Sequence, residues 1–365
     1  MKRIVHLTSA HPRYDTRIFV KECRSLARSG YEVFLVVADG LGDEVREGVR
    51  ICDVGKPSGR YGRLSATGMK LLSKARELPC DLYHFHDPEL LWVGWSLKRG
   101  GSRVVYDAHE DLPRQILAKS YIPGLFRKLL SDIAERIENG IARRMDAVVV
   151  PTPHIAERFS KIQKIVVEIR NYPVMTEFPE VAWETREPSV CYVGAISRTR
   201  GIDPLIRSLP RCGATLELAG SFRPESLKRE MEALPGWRQV RYHGLVDRAG
   251  VSAILSRCKA GVVTLLPTPG YVDALPVKMF EYMAAGIPVI ASDFPLWRSI
   301  VEEHRCGLCV DPADPEAIAE AVRTLLSDDA AAREMGRRGS EAALEQYRWG
   351  VEERKLLELY GQVGV

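Results

Sequence analysis

No run of this 365-residue chain approaches the roughly 20 consecutive apolar residues that a helix needs to cross a bilayer. After Lys2 and Arg3, only Ile4–Leu7 precede polar Thr8 and Ser9, too little for the apolar region of a secretory signal. These two shortages lead us to expect a cytoplasmic chain. Cysteine is also sparse, with eight residues and one close pair, Cys306 and Cys309, in a turn entering a strand. A structural zinc site takes four ligands, and no second pair lies at zinc-ribbon spacing, so buried thiols are expected. No G-x-G-x-x-G follows the first strand of either half, which argues against a dinucleotide-dependent dehydrogenase. Aromatic residues do not alternate with basic ones in a base-stacking pattern, so nucleic acid is not an expected partner.

What is present is a soluble composition, 45% hydrophobic and 27% charged, in a chain long enough for two domains. The net charge of +4 hides an asymmetry. Residues 1–170 carry 29 Lys and Arg against 21 Asp and Glu, and the remainder carries 23 against 27. A basic first half suits an anionic partner, although a solubilising scatter of Lys and Arg reads equally well.

Apolar runs at 3–8, 32–38, 81–86, 103–109 and 146–150 alternate with helical patterns, which predicts a parallel, doubly wound sheet. The stretch 170–188 holds three prolines and no periodicity, and reads as a linker. The alternation restarts at 189–194, 214–220, 239–244, 260–266 and 287–292. The expected domains are therefore 1–169 and 189–346, both Rossmann-like, with a final helix over 347–365 packing back toward the first domain. Ligands of open parallel sheets bind beyond the carboxyl ends of the strands, and two such sheets would enclose a cleft.

In TPGYVDALPVKMFEYMAAGIPVIASD (268–293), Pro276 fits a helix start and Gly286 a helix end. The free N–H groups of a helix over 276–285 would suit a phosphate. Glu281 could accept two hydrogen bonds from a ribose diol, and Asp273 lies in the loop before it. The same acids also read as a surface charge and a cap. A second segment, YVGAISRTRGIDPLIRSL (192–209), ends a strand at Gly194. It then offers Arg198 and Arg200 in a turn where guanidinium forks could clamp a diphosphate, or simply sit on the surface.

Together the two segments resemble the C-terminal domain of family-4 retaining glycosyltransferases of the GT-B fold. The turn Gly-x-x-x-x-x-Lys/Arg-Gly matches Gly194 through Arg200 and Gly201, and the paired acids match Asp273 and Glu281 ahead of GIPVIASD. HLTSAHPRYDTRIFVKECRSLARSGYEV, HFHDPELL and VVYDAHED are similar to the N-terminal domain of a bacterial surface-polysaccharide branch, so the resemblance spans nearly the whole chain.

The resemblance implies a hexosyltransferase moving a hexose or N-acetylhexosamine from a nucleotide diphosphate sugar, UDP foremost, to a glycan or lipid-linked acceptor. It assigns phosphate binding to Arg200, the donor ribose to Glu281, and a position near the donor sugar to Asp273. Leu275, Pro276 and Val277 offer backbone groups to sugar and phosphate, and Gly194 and Gly244 complete the donor set. His109 matches a family histidine near the reaction centre. With Arg200 and Asp273 it forms the expected catalytic group. Two departures stand out: Ala195 replaces the usual arginine after the glycine, with Arg198 as the candidate substitute, and Asp273 replaces a glutamate.

The loop SAHPRYDTR (9–17) lacks the glycines common in the family. It makes His11, Asp15 and Arg17 candidate acceptor contacts, unless it serves only to cap the next helix. No Asp-x-Asp pair occurs anywhere, so no metal is expected at the diphosphate and no cofactor is implied. His84, His86 and Asp87 resemble a metal cluster, and in a strand His84 and His86 share a face, but no third ligand at suitable spacing joins those two, so metal binding is not expected there. Residues 112–137 mix Ile122, Leu125, Phe126, Leu129, Leu130 and Ile133 with Arg114, Lys119, Arg127 and Lys128. Such a segment could rest on an anionic membrane face, or pack as a core helix. A nucleotide-sugar epimerase or another non-transferase enzyme of the same fold is the alternative activity.

Overall fold

In the computed structural model, residues 1–57, 59, 66–118 and 122–365 are described. The chain divides into two compact units, Met1–Asn171 with Gly350–Val365, and Tyr172–Trp349.

The first unit opens with β1 (Arg3–Leu7), a helical segment (Ile18–Cys23) running into α1 (Arg24–Arg28), and β2 (Glu32–Val37). A short hairpin, β3 (Glu44–Arg46) and β4 (Val49–Asp53), precedes α2 (Gly68–Glu77). Next come β5 (Leu82–Phe85), α3 (Leu91–Arg99), β6 (Val104–Asp107), α4 (Leu112–Ala118) and α5 (Gly124–Ala142). The unit's sheet finishes with β7 (Ala147–Val150), α6 (Pro153–Ser160) and β8 (Val166–Glu168).

Strand order is β3-β4-β2-β1-β5-β6-β7-β8, parallel throughout except for β3. The chain builds outward from β1 in one direction and then returns to its other side with β5. The β1/β5 boundary is therefore the point where the winding reverses, and a crevice opens there beyond the strand ends. Val5, Leu7, Phe34, Phe85, Tyr106 and Val148 form the core beneath the helices.

The second unit repeats the plan with six parallel strands: β9 (Glu187–Val193), α7 (Ile202–Cys212), β10 (Thr215–Ala219), α8 (Leu227–Glu232), β11 (Val240–Gly244) and α9 (Arg248–Arg257). Then follow β12 (Cys258–Val263), α10 (Val277–Ala284), β13 (Val289–Ser292), α11 (Pro295–His304) and β14 (Gly307–Val310). α12 (Pro315–Ser327) and α13 (Asp329–Glu345) close the unit. The order β11-β10-β9-β12-β13-β14 puts the winding reversal between β9 and β12. The last helix, α14 (Trp349–Gln362), lies almost wholly in the first unit, where buried Leu356, Leu359 and Tyr360 anchor it.

The ten strands expected from apolar runs all form, with no end more than three residues from the expected one. β3, β4 and β8 were not expected: β3 and β8 have three residues each, too few for a pattern, and β4 carries Arg50 between its buried residues. The residues expected to be a linker hold two helical turns, Met175–Glu177 and Trp183–Thr185, and the start of β9. All eight cysteines are free thiols. Burial raises the Cys306 thiol to about 12 and the Cys309 thiol to about 11.

Candidate active site

Both winding reversals are lined by the segments that the sequence singled out. In the second unit, β9 delivers Gly194 and the turn to Gly201, while β12 delivers the loop from Thr264 to Pro276 and then α10.

Gly201 has φ +73°, and a Cβ there would lie 1.7 Å from the Thr264 carbonyl oxygen, so only glycine lets the two loops meet. Leu266 N–H donates to the Thr199 carbonyl at 2.9 Å, fastening them together. Arg200 is half-buried between these loops. No carboxylate pairs with it among the described residues, and its guanidinium lies 6.0 Å from the Tyr271 ring centre. An arginine without a counter-ion at a strand's carboxyl end is poised for an anion.

Arg198 behaves differently. It is exposed, hydrogen-bonded to Glu230 and 3.7 Å from Asp203, so its charge is neutralised on the surface. Arg198, the candidate substitute for the arginine missing at Ala195, is thus turned to these carboxylates in this structure.

The cation nearest Gly194 is Lys278, which the sequence reading overlooked. Its Nζ lies 3.2 Å from where a Cβ on Gly194 would stand and 3.6 Å from the Tyr192 ring centre. That nitrogen is buried and, among the described residues, has no hydrogen-bond partner. Burial, reinforced by the Arg200 charge, holds the Lys278 amine well below its ordinary range. The signal lay in position: Lys278 is the second residue of α10, where an apolar helix otherwise turns its first turn to the crevice.

α10 starts one residue later than expected, with Pro276 as its N-cap and no side chain capping it. Trp297 Nε1 donates to the Ala274 carbonyl at 2.6 Å and holds the approach through Leu275. Gly286, at φ +69°, ends the helix as expected. Glu281 is 6% exposed, not a surface charge: Arg248 grips its Oε1 at 2.8 Å, and Arg248 is held in turn by Glu177. The pair fixes the carboxylate's direction one turn into the helix. Asp273 is exposed in the turn before α10. Gly244 ends β11, and its carbonyl accepts Gly220 N–H at 2.7 Å, so two strand ends beside Gly194 are also bare backbone.

In the first unit, Asp87, at the end of β5, organises the loop after β1. Its carboxylate accepts from Thr8 Oγ1 at 2.9 Å and from the backbone N–H groups of Ser9 and Ala10, and it pairs with His11 Nδ1 at 3.0 Å. Burial opposes charge on both partners. Even so, the contact raises the His11 pKa and, with the loop donors, holds Asp87 well below the usual carboxylate range.

His11 packs against His109, their ring centres 4.9 Å apart. His109 is 16% exposed by side chain and follows β6, with Nε2 3.3 Å from Asp107 Oδ2. Asp15 is occupied as a cap: its Oδ1 accepts from Arg17 N at 2.8 Å and Ile18 N at 2.9 Å. Arg17 is buried, paired twice with Asp107 and once with Glu22, and donates to the Ile169 carbonyl. The acceptor-side assignment of Asp15 and Arg17 is therefore corrected, while His11 remains on the crevice.

The view that His84 and His86 lack further metal-type neighbours is also corrected, because folding places His6 and Glu22 beside them. Of segment 112–137, Lys119 and the Leu125 side chain lie outside the described residues. On α5, Phe126, Leu129, Leu130, Ile133 and Ile137 are between 41% and 55% exposed, so that face is not core-packed. No described helix is long and apolar enough to span a membrane.

Comparison with known proteins matches residues 17–169 to the model described as Glycosyltransferase Family 4 and residues 175–342 to that described as Glycosyl transferases group 1. A phosphatidyl-myo-inositol mannosyltransferase of Mycobacterium leprae is 26% identical over 298 residues, 78% of this chain and 74% of its own. Among solved structures, a sucrose-phosphate synthase from Thermosynechococcus elongatus superposes with a TM-score of 0.76 at 19% identity, covering 100% of this chain and 99% of that one. Anabaena HepE in complex with UDP and glucose superposes with a TM-score of 0.74 at 15% identity, covering 99% and 100%.

Proposed function

Because the chain belongs to the family-4-type glycosyltransferases of the GT-B fold, we propose that it transfers a hexose or N-acetylhexosamine from a nucleotide diphosphate sugar, with retention at the anomeric carbon. One observation carries this reading. At the β9/β12 reversal, an arginine without a carboxylate partner and a buried lysine without a hydrogen-bond partner among the described residues converge with an uncapped helix start on one crevice, and a diphosphate is the ligand that answers all three.

The donor diphosphate lies against Arg200, Lys278 and the first N–H groups of α10, with the bare turn at Gly194 giving the phosphates close approach. Glu281 takes the ribose hydroxyls, its direction set by Arg248. Leu275, Pro276, Val277 and Asp273 border the sugar. UDP is the proposed carrier, in keeping with the UDP bound by Anabaena HepE. As the bond from the anomeric carbon to the phosphate oxygen breaks, the leaving diphosphate gains charge, and the two cations and the helix start stabilise it without a metal ion. The acceptor hydroxyl oxygen bonds to the anomeric carbon on the same face, and its proton passes to the departing phosphate oxygen. His109 orients the sugar, and His11 stands on the acceptor side.

Substituting Glu281→Ala should raise the donor KM about tenfold or more, since a charged group holding two hydroxyls contributes about 1.5–3 kcal/mol. Arg248 keeps Glu177 as a partner, so the fold should survive. Initial rates against donor concentration decide, and an unchanged KM would remove Glu281 from the ribose site.

The exposed apolar stripe on α5, flanked by Arg127 and Lys128, supports contact with an anionic membrane and hence a lipid-linked acceptor in surface-polysaccharide assembly. Flotation of the full chain with phosphatidylglycerol vesicles at low salt should recover most of the protein. A Phe126→Ser, Leu129→Ser, Leu130→Ser variant should stay at the bottom. Equal flotation of the two would reject the contact.

A further inference from the structure

Four side chains of the first unit form a cluster that the transfer reaction does not use. His6 on β1 and His84 on β5 are in register as neighbours, and His86 follows just past the end of β5 with its ring stacked on that of His84. Glu22 enters from the helical segment Ile18–Cys23. All four are fully buried, and one nitrogen or oxygen from each lies within 4.8 Å of all the others. His6 Nδ1 and His86 Nε2 are 2.8 Å apart, and each lies 3.9 Å from Glu22 Oε2. A tetrahedral ion with ligands at about 2.0–2.1 Å sets neighbouring donors roughly 3.3 Å apart, between these values.

The donor atoms left over point the same way. Among the described residues, His84 Nε2 and Glu22 Oε2 have no hydrogen-bond partner, while Glu22 Oε1 is ion-paired with Arg17 Nε at 3.0 Å. Orphaned atoms of this kind are costly in a fully buried cluster unless something answers them. Meanwhile the outward nitrogens are all held. His84 Nδ1 meets the Tyr360 hydroxyl at 2.7 Å and His6 Nε2 meets it at 3.3 Å. His86 Nδ1 faces His109 Nε2 at 3.0 Å and Asp107 Oδ2 at 3.4 Å. Metal-ligating histidines are oriented in this way, through the ring nitrogen that does not bind the ion.

We propose that His6, Glu22, His84 and His86 bind one tetrahedral divalent transition ion of the zinc type, which pins β1, β5 and the segment after β1 together at the winding reversal. The alternative is a metal-free chain of hydrogen-bonded imidazoles, and the two are separable. The full chain, refolded from denaturant with Co2+, should show the ligand-field bands of tetrahedral Co2+. Refolded with Zn2+ and desalted, it should hold about one ion per chain by mass spectrometry. A Glu22→Gln, His84→Gln variant should fall to about a tenth of that content. A well-folded parent without Co2+ bands or stoichiometric zinc would overturn the proposal, as would an unchanged metal content in a variant with native circular dichroism. Should that variant not fold, the Co2+ spectrum of the parent decides alone.

Discussion

Replacing Arg200 by alanine is expected to lower kcat/KM for the sugar donor by two to three orders of magnitude, about 3–4 kcal/mol of transition-state stabilisation. The size follows from where the charge goes. A bound diphosphate gains negative charge on its bridging oxygen as the anomeric bond breaks, and a guanidinium already fixed beside it needs no reorganisation. Arg200 has no carboxylate partner among the described residues to compete for its donors. For the same reason its loss should hardly disturb the fold: no ion pair is broken, and the melting temperature should stay within a few degrees. Initial rates and a thermal scan on one preparation test both halves. Activity within about twofold of the parent would remove Arg200 from the site.

Lys278→Met is expected to move activity and stability in opposite directions. Its amine sits buried with no hydrogen-bond partner among the described residues, beside Gly194 and over the face of Tyr192. A thioether of similar shape removes a costly buried polar group, so the apo protein should hold or gain stability. Donor affinity should drop at least tenfold, because the second cation on the diphosphate is gone.

The pH dependence sharpens the test. The pKa of Lys278 in the folded apo protein lies well below that of the unfolded chain, so the unfolded state binds more protons between the two values. Apo stability from this group therefore rises with pH across that window and reaches its full value above the unfolded pKa. A bound diphosphate favours the charged amine and raises its pKa, so donor affinity falls as pH climbs past the apo value. Lys278→Met should lose both slopes. Denaturant titrations and UDP binding at several pH values check this, and unchanged slopes would deny Lys278 its role.

Features whose causes lie close together in the chain are legible in the sequence. The turn from Gly194 to Gly201 and the start of α10 are set by glycine and proline a few residues apart, and alternating apolar runs place them after strands. Pairings across long sequence distances are not. Arg17 looked like an acceptor contact because its partner Asp107 lies 90 residues away. The sequence does not show His6 and Glu22 as neighbours of His84 and His86, because the β1/β5 register brings in His6 and the packing of the helical segment Ile18–Cys23 brings in Glu22. Lys278 was hidden for a different reason: a lysine in a helix start normally snorkels to water, and only the packing over Tyr192 keeps this one inside. Arg198, the more conspicuous cation in sequence, is drawn outward by Glu230, a residue on α8.

Calorimetric titration of UDP into the full chain, without added divalent metal and in two buffers of differing ionisation enthalpy, tests the diphosphate site most directly. The expected result is metal-free binding with uptake of a proton in the parent. Binding should be weaker, without that uptake, in Lys278→Met, and weaker again when Arg200→Ala is added. UDP that binds the double variant as tightly as the parent, or binds the parent only once Mg2+ or Mn2+ is supplied, would contradict a site built from Arg200, Lys278 and the start of α10.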